Sequence, residues 1–156
     1  MSKPEPQPYC FEFQRRVEFS ETDMAGIMHF SNFYRFMESA EHAFFRSLDH
    51  GVHQTVDGAT VGWPRVQSSC DFCRPVRFED TVTIRLTIEE IRRRSVRYAY
   101  TFLLGDDDNV AVVATGRMTT ACVRLDREVG EIESISIPDE LREKLEAARK
   151  SQESNE

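Results

Sequence analysis

Over the first part of the chain, Phe11, Phe13, Val17 and Phe19 fall on one parity, while Glu12, Gln14, Arg16 and Glu18 fall on the other. A period of two belongs to a strand with one face buried, so a half-buried strand is predicted over residues 10–20. The period then changes. From residue 32 to 49, Phe33, Phe36, Met37, Ala40, Phe44, Ser47 and Leu48 recur at steps of three and four, which predicts an amphipathic helix with Tyr34, Glu38, Glu41 and His42 on its polar side. Ser31 stands where an N-cap belongs, and Gly51 where a terminator belongs. At ~1.5 Å per residue the helix is about 27 Å long, enough to cross a sheet.

Residues 52–62 carry neither period and read as a loop. Four strands are predicted beyond it, over about 63–74, 80–91, 95–105 and 110–124. Val82, Ile84, Leu86 and Ile88 alternate cleanly with polar neighbours, and so do Val96, Tyr98, Tyr100, Phe102 and Leu104. The breaks are Pro75, the charged step Arg92 to Arg94, and Gly105 with the polar residues up to Asn109. Short connections make sequential strands antiparallel. Residues 138–149, PDELREKLEAAR, predict a terminal helix with Pro138 at its start and acids in its first turn. One long helix against a mostly antiparallel sheet, without internal repeats, is an α+β architecture.

Composition narrows this further. A chain of 156 residues, 40% apolar and with eleven Phe, can bury one core but hardly two. One domain is expected over residues 9–149. The polar ends, 1–8 with three prolines and 150–156 (KSQESNE), are expected to be disordered. A formal net charge of −7 argues against nucleic acid or an anionic membrane as partner. No apolar run approaches the ~20 residues that span a bilayer, and MSKPEPQPY lacks the basic-then-apolar pattern of a signal peptide. The expected location is therefore the cytoplasm.

Cys70 and Cys73 form a CxxC, but there is no second one, and His29, His42, His50 and His53 complete no zinc spacing with it. In a strand, positions i and i+3 also face opposite sides. Cys10, Cys70, Cys73 and Cys122 are read as free thiols, and no metal site is expected.

The candidate chemistry lies where strand gives way to helix. Asp23 and a glycine turn at Gly26 stand just before the predicted helix. Free N–H groups and the positive end of the helix dipole can hold a developing oxyanion there, so a carboxylate and an electrophile trap would meet at one point. The alternative role for Asp23 is to cap the turn.

The run FSETDMAGIMHFSNFYRFMESAEHAFF, residues 19–45, resembles the signature of the 4-hydroxybenzoyl-CoA thioesterase family. CRPVRFEDTVT at 73–83 resembles that family's entry into its next strand, and EEIRRRSV at 89–96, followed by an alternating strand, is a third match. The resemblance implies a hot-dog fold, in which an antiparallel sheet wraps around one long helix. It implies an acyl-CoA thioesterase in which Asp23 attacks the thioester or activates a water, and the Phe30 N–H polarises the carbonyl oxygen. No cofactor is implied, coenzyme A being part of the substrate. It also implies a homodimer or homotetramer with active sites between subunits. A non-catalytic module that binds acyl-CoA or an acyl carrier is the alternative.

Two departures from the family pattern bear on the site. In one branch a histidine stands seven positions after the aspartate; here that position is Phe30, and His29 lies one residue earlier. One residue turns a side chain by ~100° on a helix, so His29 becomes a candidate for orienting substrate or water rather than the equivalent of that histidine. An aromatic residue at the position is similar to the family's aromatic-substrate branch. Glu21 replaces an aspartate often found two residues before the acid, and its extra methylene predicts contact with solvent. Glu38, on the helix where the family often carries an acid, would hold a water or a substrate hydroxyl, or else is a surface acid. Arg92, Arg93 and Arg94 fall where aromatic-branch members carry basic residues against coenzyme A phosphates; guanidinium groups suit phosphate oxygens, and a solvated turn is the alternative. Phe30, Phe33, Tyr34, Phe36 and Phe45 are candidates for the acyl pocket or for the core.

Overall fold

In a computed structural model that describes residues 11–56 and 58–153, the alternating runs become strands and the three-and-four run becomes a helix. The expectations for residues 1–8 and for Cys10 lie outside the described residues. In chain order the elements are β1 (Phe11–Arg16), a single 3-10 turn (Phe19–Glu21), α1 (Ser31–Ser47), β2 (Gln54–Val56), β3 (Ala59–Gly62), β4 (Arg65–Phe72), β5 (Thr81–Ile91), β6 (Ser95–Leu104), β7 (Ala111–Ala121), β8 (Val123–Asp126), β9 (Glu131–Ser134) and α2 (Asp139–Glu153).

Five strands form an antiparallel sheet in the order β1-β5-β6-β7-β4. Its register sets Phe13 beside Ile84, Ile84 beside Phe102, and Phe102 beside Ala114. With side chains alternating faces, one face carries Val82, Ile84, Leu86, Val96, Tyr98, Tyr100, Phe102 and Met118, all buried. Against that face α1 lays Phe33, Phe36, Met37, Ala40 and Phe44. Gly116 in β7 lets the helix come close: a Cβ there would stand 2.5 Å from Met37 Sδ. This antiparallel sheet curled round one central helix is the hot-dog fold.

The helix ends by its own geometry before Gly51. Asp49 takes the left-handed conformation at φ 55, the Asp49 N–H donates to Arg46 O and the His50 N–H to Phe45 O, each at 3.0 Å. That pair of bonds closes a Schellman motif two residues before Gly51, with an aspartate in the position glycine usually fills.

The strand expected over 10–20 ends at Arg16, with Phe19 exposed in the 3-10 turn, and β9 was not expected; three further stretches also differ from the sequence reading. Residues 52–62, expected as a loop, hold β2 and β3, which join β8 and β9 in a second antiparallel sheet; strands of three and four residues are too short to display a period. The strand expected over 110–124 breaks at Cys122, whose N–H donates to Arg94 O while its carbonyl accepts the Ile135 N–H, so the chain leaves one sheet there and enters the other. The terminal helix continues past residue 149 to Glu153, so residues 150–153 are helical. Buried Gln152 explains the extension, because its Oε1 accepts the Ile88 N–H at 3.2 Å while Leu141 and Leu145 are fully buried beneath the same helix. Among the described residues, no helix is long and apolar enough to cross a membrane.

Candidate active site

Between the 3-10 turn and α1 the chain makes a tight reversal, closed by a bridge between Thr22 and Met28. The Asp23 N–H donates to Ile27 O at 3.0 Å, and Asp23 O accepts the Gly26 N–H at 2.9 Å. Gly26 sits at φ +76, in the left-handed region where a side chain would cost about 1 kcal/mol. Asp23 Oδ1 accepts the Ala25 N–H at 2.9 Å, so one carboxylate oxygen holds the turn in shape. No partner is found for Oδ2 among the described residues.

The Met28 N–H then donates to Val76 O, strapping the reversal to the segment after β4. The strap opens a cavity of ≈ 440 Å³ with Asp23, Met28, Phe30 and Phe33 on one side and Phe72 to Val76 on the other. Its wall is aromatic: Phe33 meets Phe72 at 5.2 Å and Phe102 at 5.3 Å, both edge to face, and Phe30 meets Phe72 at 6.3 Å. Phe30 and Phe72 are 58% and 49% exposed, so the cavity is open and two of its rings are partly bare. Phe72, Arg74 and Val76 line the cavity without being among the residues that the sequence predicts for the site; the run CRPV, expected as a strand entry, is the signal that bears on them.

Phe30 occupies the position before the first helical residue and is itself helical in conformation. Its N–H has no acceptor among the described residues, which leaves a donor at the positive end of α1 on the cavity wall. The cap differs from expectation. His29 supplies it, with Nδ1 2.8 Å from Ser31 Oγ and accepting the Ser31 N–H at 3.3 Å. His29 is solvent-exposed beside Phe30, with ring centres 4.7 Å apart, and its Nδ1 is committed to the helix start.

Glu21 does not face solvent. It is 8% exposed; Oε2 accepts from Arg15 Nη2 at 3.0 Å and Oε1 from the Glu18 N–H at 2.9 Å. Its carbonyl accepts both the His29 N–H and Asn32 Nδ2, each at 2.8 Å. The methylene that was expected to carry it outward instead gives the reach for both side-chain bonds.

Other sequence candidates lie elsewhere in the protomer. Glu38, half exposed, pairs with His42 at 3.8 Å on the outer side of α1 and does not line the cavity. Phe36 and Phe45 are wholly buried in the core, and Tyr34 packs at its margin. Arg92 binds Glu90 at 3.0 Å and borders a different hollow, of ≈ 510 Å³, with Gln67, Arg97 and Thr119. Arg93 Nε donates to Ser136 Oγ at 3.0 Å, and the carbonyls of Arg92 and Arg93 accept from Arg142. The Arg94 side chain is exposed. The arginine run is thus not brought beside Asp23 within one chain. Cys70, Cys73 and Cys122 are free thiols.

One buried acid contradicts the helix reading. Glu41, expected on the polar side, is fully buried and bonded to Arg65 Nη2 at 3.3 Å. Burial pushes its carboxyl up to about 7, with Arg65 opposing and Glu38 adding to the rise. The buried hydroxyls of Tyr98 and Tyr100 have no hydrogen-bond partner among the described residues; burial first, and the Glu41 charge second, push both up.

Comparison with known proteins adds the family. A model of the thioesterase-like superfamily matches residues 17–145. The chain is 33% identical over 84 residues to 4-hydroxybenzoyl-CoA thioesterase from Pseudomonas sp. strain CBS-3, spanning 53% of this chain and 60% of that enzyme. It is 28% identical over 132 residues to 1,4-dihydroxy-2-naphthoyl-CoA hydrolase from Thermosynechococcus vestitus, spanning 83% and 84%. A crystal structure of a 4-hydroxybenzoyl-CoA thioesterase mutant with 4-hydroxybenzoyl-CoA bound superimposes with a TM-score of 0.73 at 22% identity, over 86% of this chain and 96% of that one; at that identity the likeness speaks for the fold.

Proposed function

The chain belongs to the thioesterase-like superfamily, and from that premise we propose that it is an acyl-CoA thioesterase whose chemistry is carried by Asp23 and the start of α1. The observation that carries this reading is that Asp23 and Phe30 line one aromatic cavity. A thioester carbonyl seated there would point its oxygen at the Phe30 N–H and its carbon at Asp23. Charge developing on that oxygen is stabilised by the donor and the helix dipole. The carboxylate either adds to the carbonyl carbon, expelling coenzyme A as thiolate and leaving an acyl-aspartyl anhydride that water cleaves, or takes a proton from a water that adds directly. Both routes end in the free acid and the coenzyme A thiol.

An aromatic acyl group suits the Phe30, Phe33 and Phe72 walls, and the two relatives above are named for aromatic acyl groups. Glu38 and the arginine run enter this reading only through a second subunit: in a homodimer or dimer of dimers, Glu38 would reach substrate from a partner helix, and Arg92 to Arg94 would hold coenzyme A phosphates. His29 acts by fixing the helix start beside the reacting carbonyl. No cofactor beyond the substrate's own coenzyme A is needed.

The bond from Ala25 to Asp23 Oδ1 favours a second reading, a non-catalytic acyl-CoA or acyl-carrier binding module in which Asp23 only shapes the turn. Release of free thiol from acyl-CoAs spanning acetyl, long-chain, benzoyl and hydroxybenzoyl groups separates the two. Hydrolysis of at least one supports the enzyme; a folded oligomer inactive on all of them is the binding module.

A further inference from the structure

Glu21 is bonded at five points, the first being its N–H, which donates to Glu18 O at 3.0 Å. Its carboxylate takes Arg15 Nη2 from β1 and the Glu18 N–H from the preceding turn, and its carbonyl takes the His29 N–H and Asn32 Nδ2 from the start of α1. Arg15 is itself fixed: its guanidinium lies 4.4 Å from the centre of the Phe36 ring, and its Nη1 donates to Ser39 Oγ at 3.2 Å. Asn32 and Glu21 are each only 8% exposed, and buried polar groups of this kind are costly unless satisfied. The strand, the turn and the first helical turn therefore converge on one residue, two positions before Asp23.

We infer that Glu21 is the positioning residue of this site, the knot that fixes the Asp23 turn against the N-terminus of α1, with Asn32 and Arg15 as its anchors. The inference rests on the thioesterase reading for its catalytic consequence. Its mechanical content stands on the bonds alone. Asp23 and Phe30 flank a reversal that nothing in α1 holds directly, because no backbone bond joins residues 23–27 to the helix. The Glu21 carboxylate, held by Arg15 and the Glu18 N–H, fixes the residue whose carbonyl ties His29 and Asn32, and through it sets the distance between the Asp23 carboxylate and the oxyanion donor; misplacement of reacting groups by about 1 Å can cost ~10² in rate.

The test compares Glu21→Ala, Glu21→Gln and Arg15→Met with wild type in two readouts: kcat and KM on the acyl-CoA that wild type hydrolyses best, and amide hydrogen exchange at Asp23, Gly26 and His29. Glu21→Ala is expected to lower kcat by about tenfold to a hundredfold with KM within about threefold, and to speed exchange at those amides by about tenfold while amides of β5 and β6 are unchanged. Glu21→Gln, which keeps length and acceptor, should return kcat to within about threefold of wild type. Arg15→Met removes the guanidinium while keeping an unbranched side chain, and should give a smaller loss of the same kind, which keeps the test open if Glu21→Ala does not fold. Loss of kcat below twofold in both Glu21→Ala and Arg15→Met, or Gln no better than Ala, overturns the inference. If wild type hydrolyses nothing, the thioesterase reading fails by itself, and exchange decides: unchanged rates at Asp23, Gly26 and His29 overturn the positioning role, and faster rates confined to them uphold it.

Discussion

Glu41 Oε2 lies 3.3 Å from Arg65 Nη2 while Glu41 Oε1, also buried, has no partner among the described residues. A half-satisfied acid under the middle of α1 ties the helix to β4, the strand whose far end brings Phe72 to the cavity. Its electrostatic surroundings are Glu38 and His42 on α1, Arg65 on β4, and the Tyr98 and Tyr100 hydroxyls on β6.

That burial gives stability a pH dependence of definite sign. The folded-state carboxyl titrates at about 7 against an ordinary 4.5, so the folded protein prefers the protonated acid. Below 4.5 both states are protonated and no penalty applies. As pH rises from 4.5 through 7 the unfolded chain has already lost the proton, and folding stability falls; above 7 the penalty is constant. At ~1.4 kcal/mol per pH unit the total is about 3 kcal/mol. Glu41→Gln removes it, so the variant should gain about 3 kcal/mol relative to wild type between pH 4 and pH 8, measured by urea unfolding at the two pH values. An equal difference at both would mean that Glu41 does not titrate in this range.

Gly116 and Met37 give a packing prediction. Adding a methyl at Gly116 places it against Met37 Sδ and 3.2 Å from Ser69 O. The thioether can move and the β4 carbonyl cannot do so freely, so Gly116→Ala should cost about 1–3 kcal/mol. Paired with Met37→Val, the loss should be smaller than the sum of the single losses, as expected for residues in contact. Additive losses in thermal unfolding would show that the close approach at Gly116 is not what limits the helix.

Among the three arginines, Arg94 is the cleanest probe of phosphate binding, since Arg92 and Arg93 have side-chain partners in Glu90 and Ser136. Arg94→Ala should raise KM for acyl-CoA several-fold, with the effect shrinking at high salt because exposed charges are screened over ~8–10 Å. The same variant assayed on an acyl-pantetheine, which lacks the nucleotide phosphates, should behave as wild type. Equal KM changes on both substrates would point to a disturbed fold.

The long periodic elements were legible because many residues repeat one signal. β1, β5, β6 and α1 followed from alternation or from steps of three and four, as with Val82 to Ile88 and Phe33 to Leu48, while β4 and β7 followed from the breaks that bound them. β2, β3 and β9 were not legible, being strands of three or four residues held by their edges, β2 on β3, β3 and β9 on β8. Nor was the burial of Glu41, because a charged residue on a helix reads as solvated until an arginine from a distant strand is seen to cover it. Half the candidate site was readable, from Asp23 to the helix start, since those residues are contiguous. The other half, Phe72 to Val76, joins it through the Met28 to Val76 backbone bond, and a bond between distant backbone atoms leaves no mark in side-chain pattern. Glu21 was misjudged for a related reason: its length was visible, but the donors waiting for it were not.

The central claim is that Asp23 does chemistry rather than merely shaping its turn. Asp23→Asn keeps the size of the side chain and an oxygen able to accept the Ala25 N–H, while removing the anion. Steady-state kinetics of this variant on the best acyl-CoA substrate, with folding checked by thermal unfolding, is the most direct measurement. A fall in kcat of about 10² or more with an unchanged melting temperature is predicted. A folded variant whose kcat falls by less than about threefold would contradict the account and leave Asp23 a turn residue.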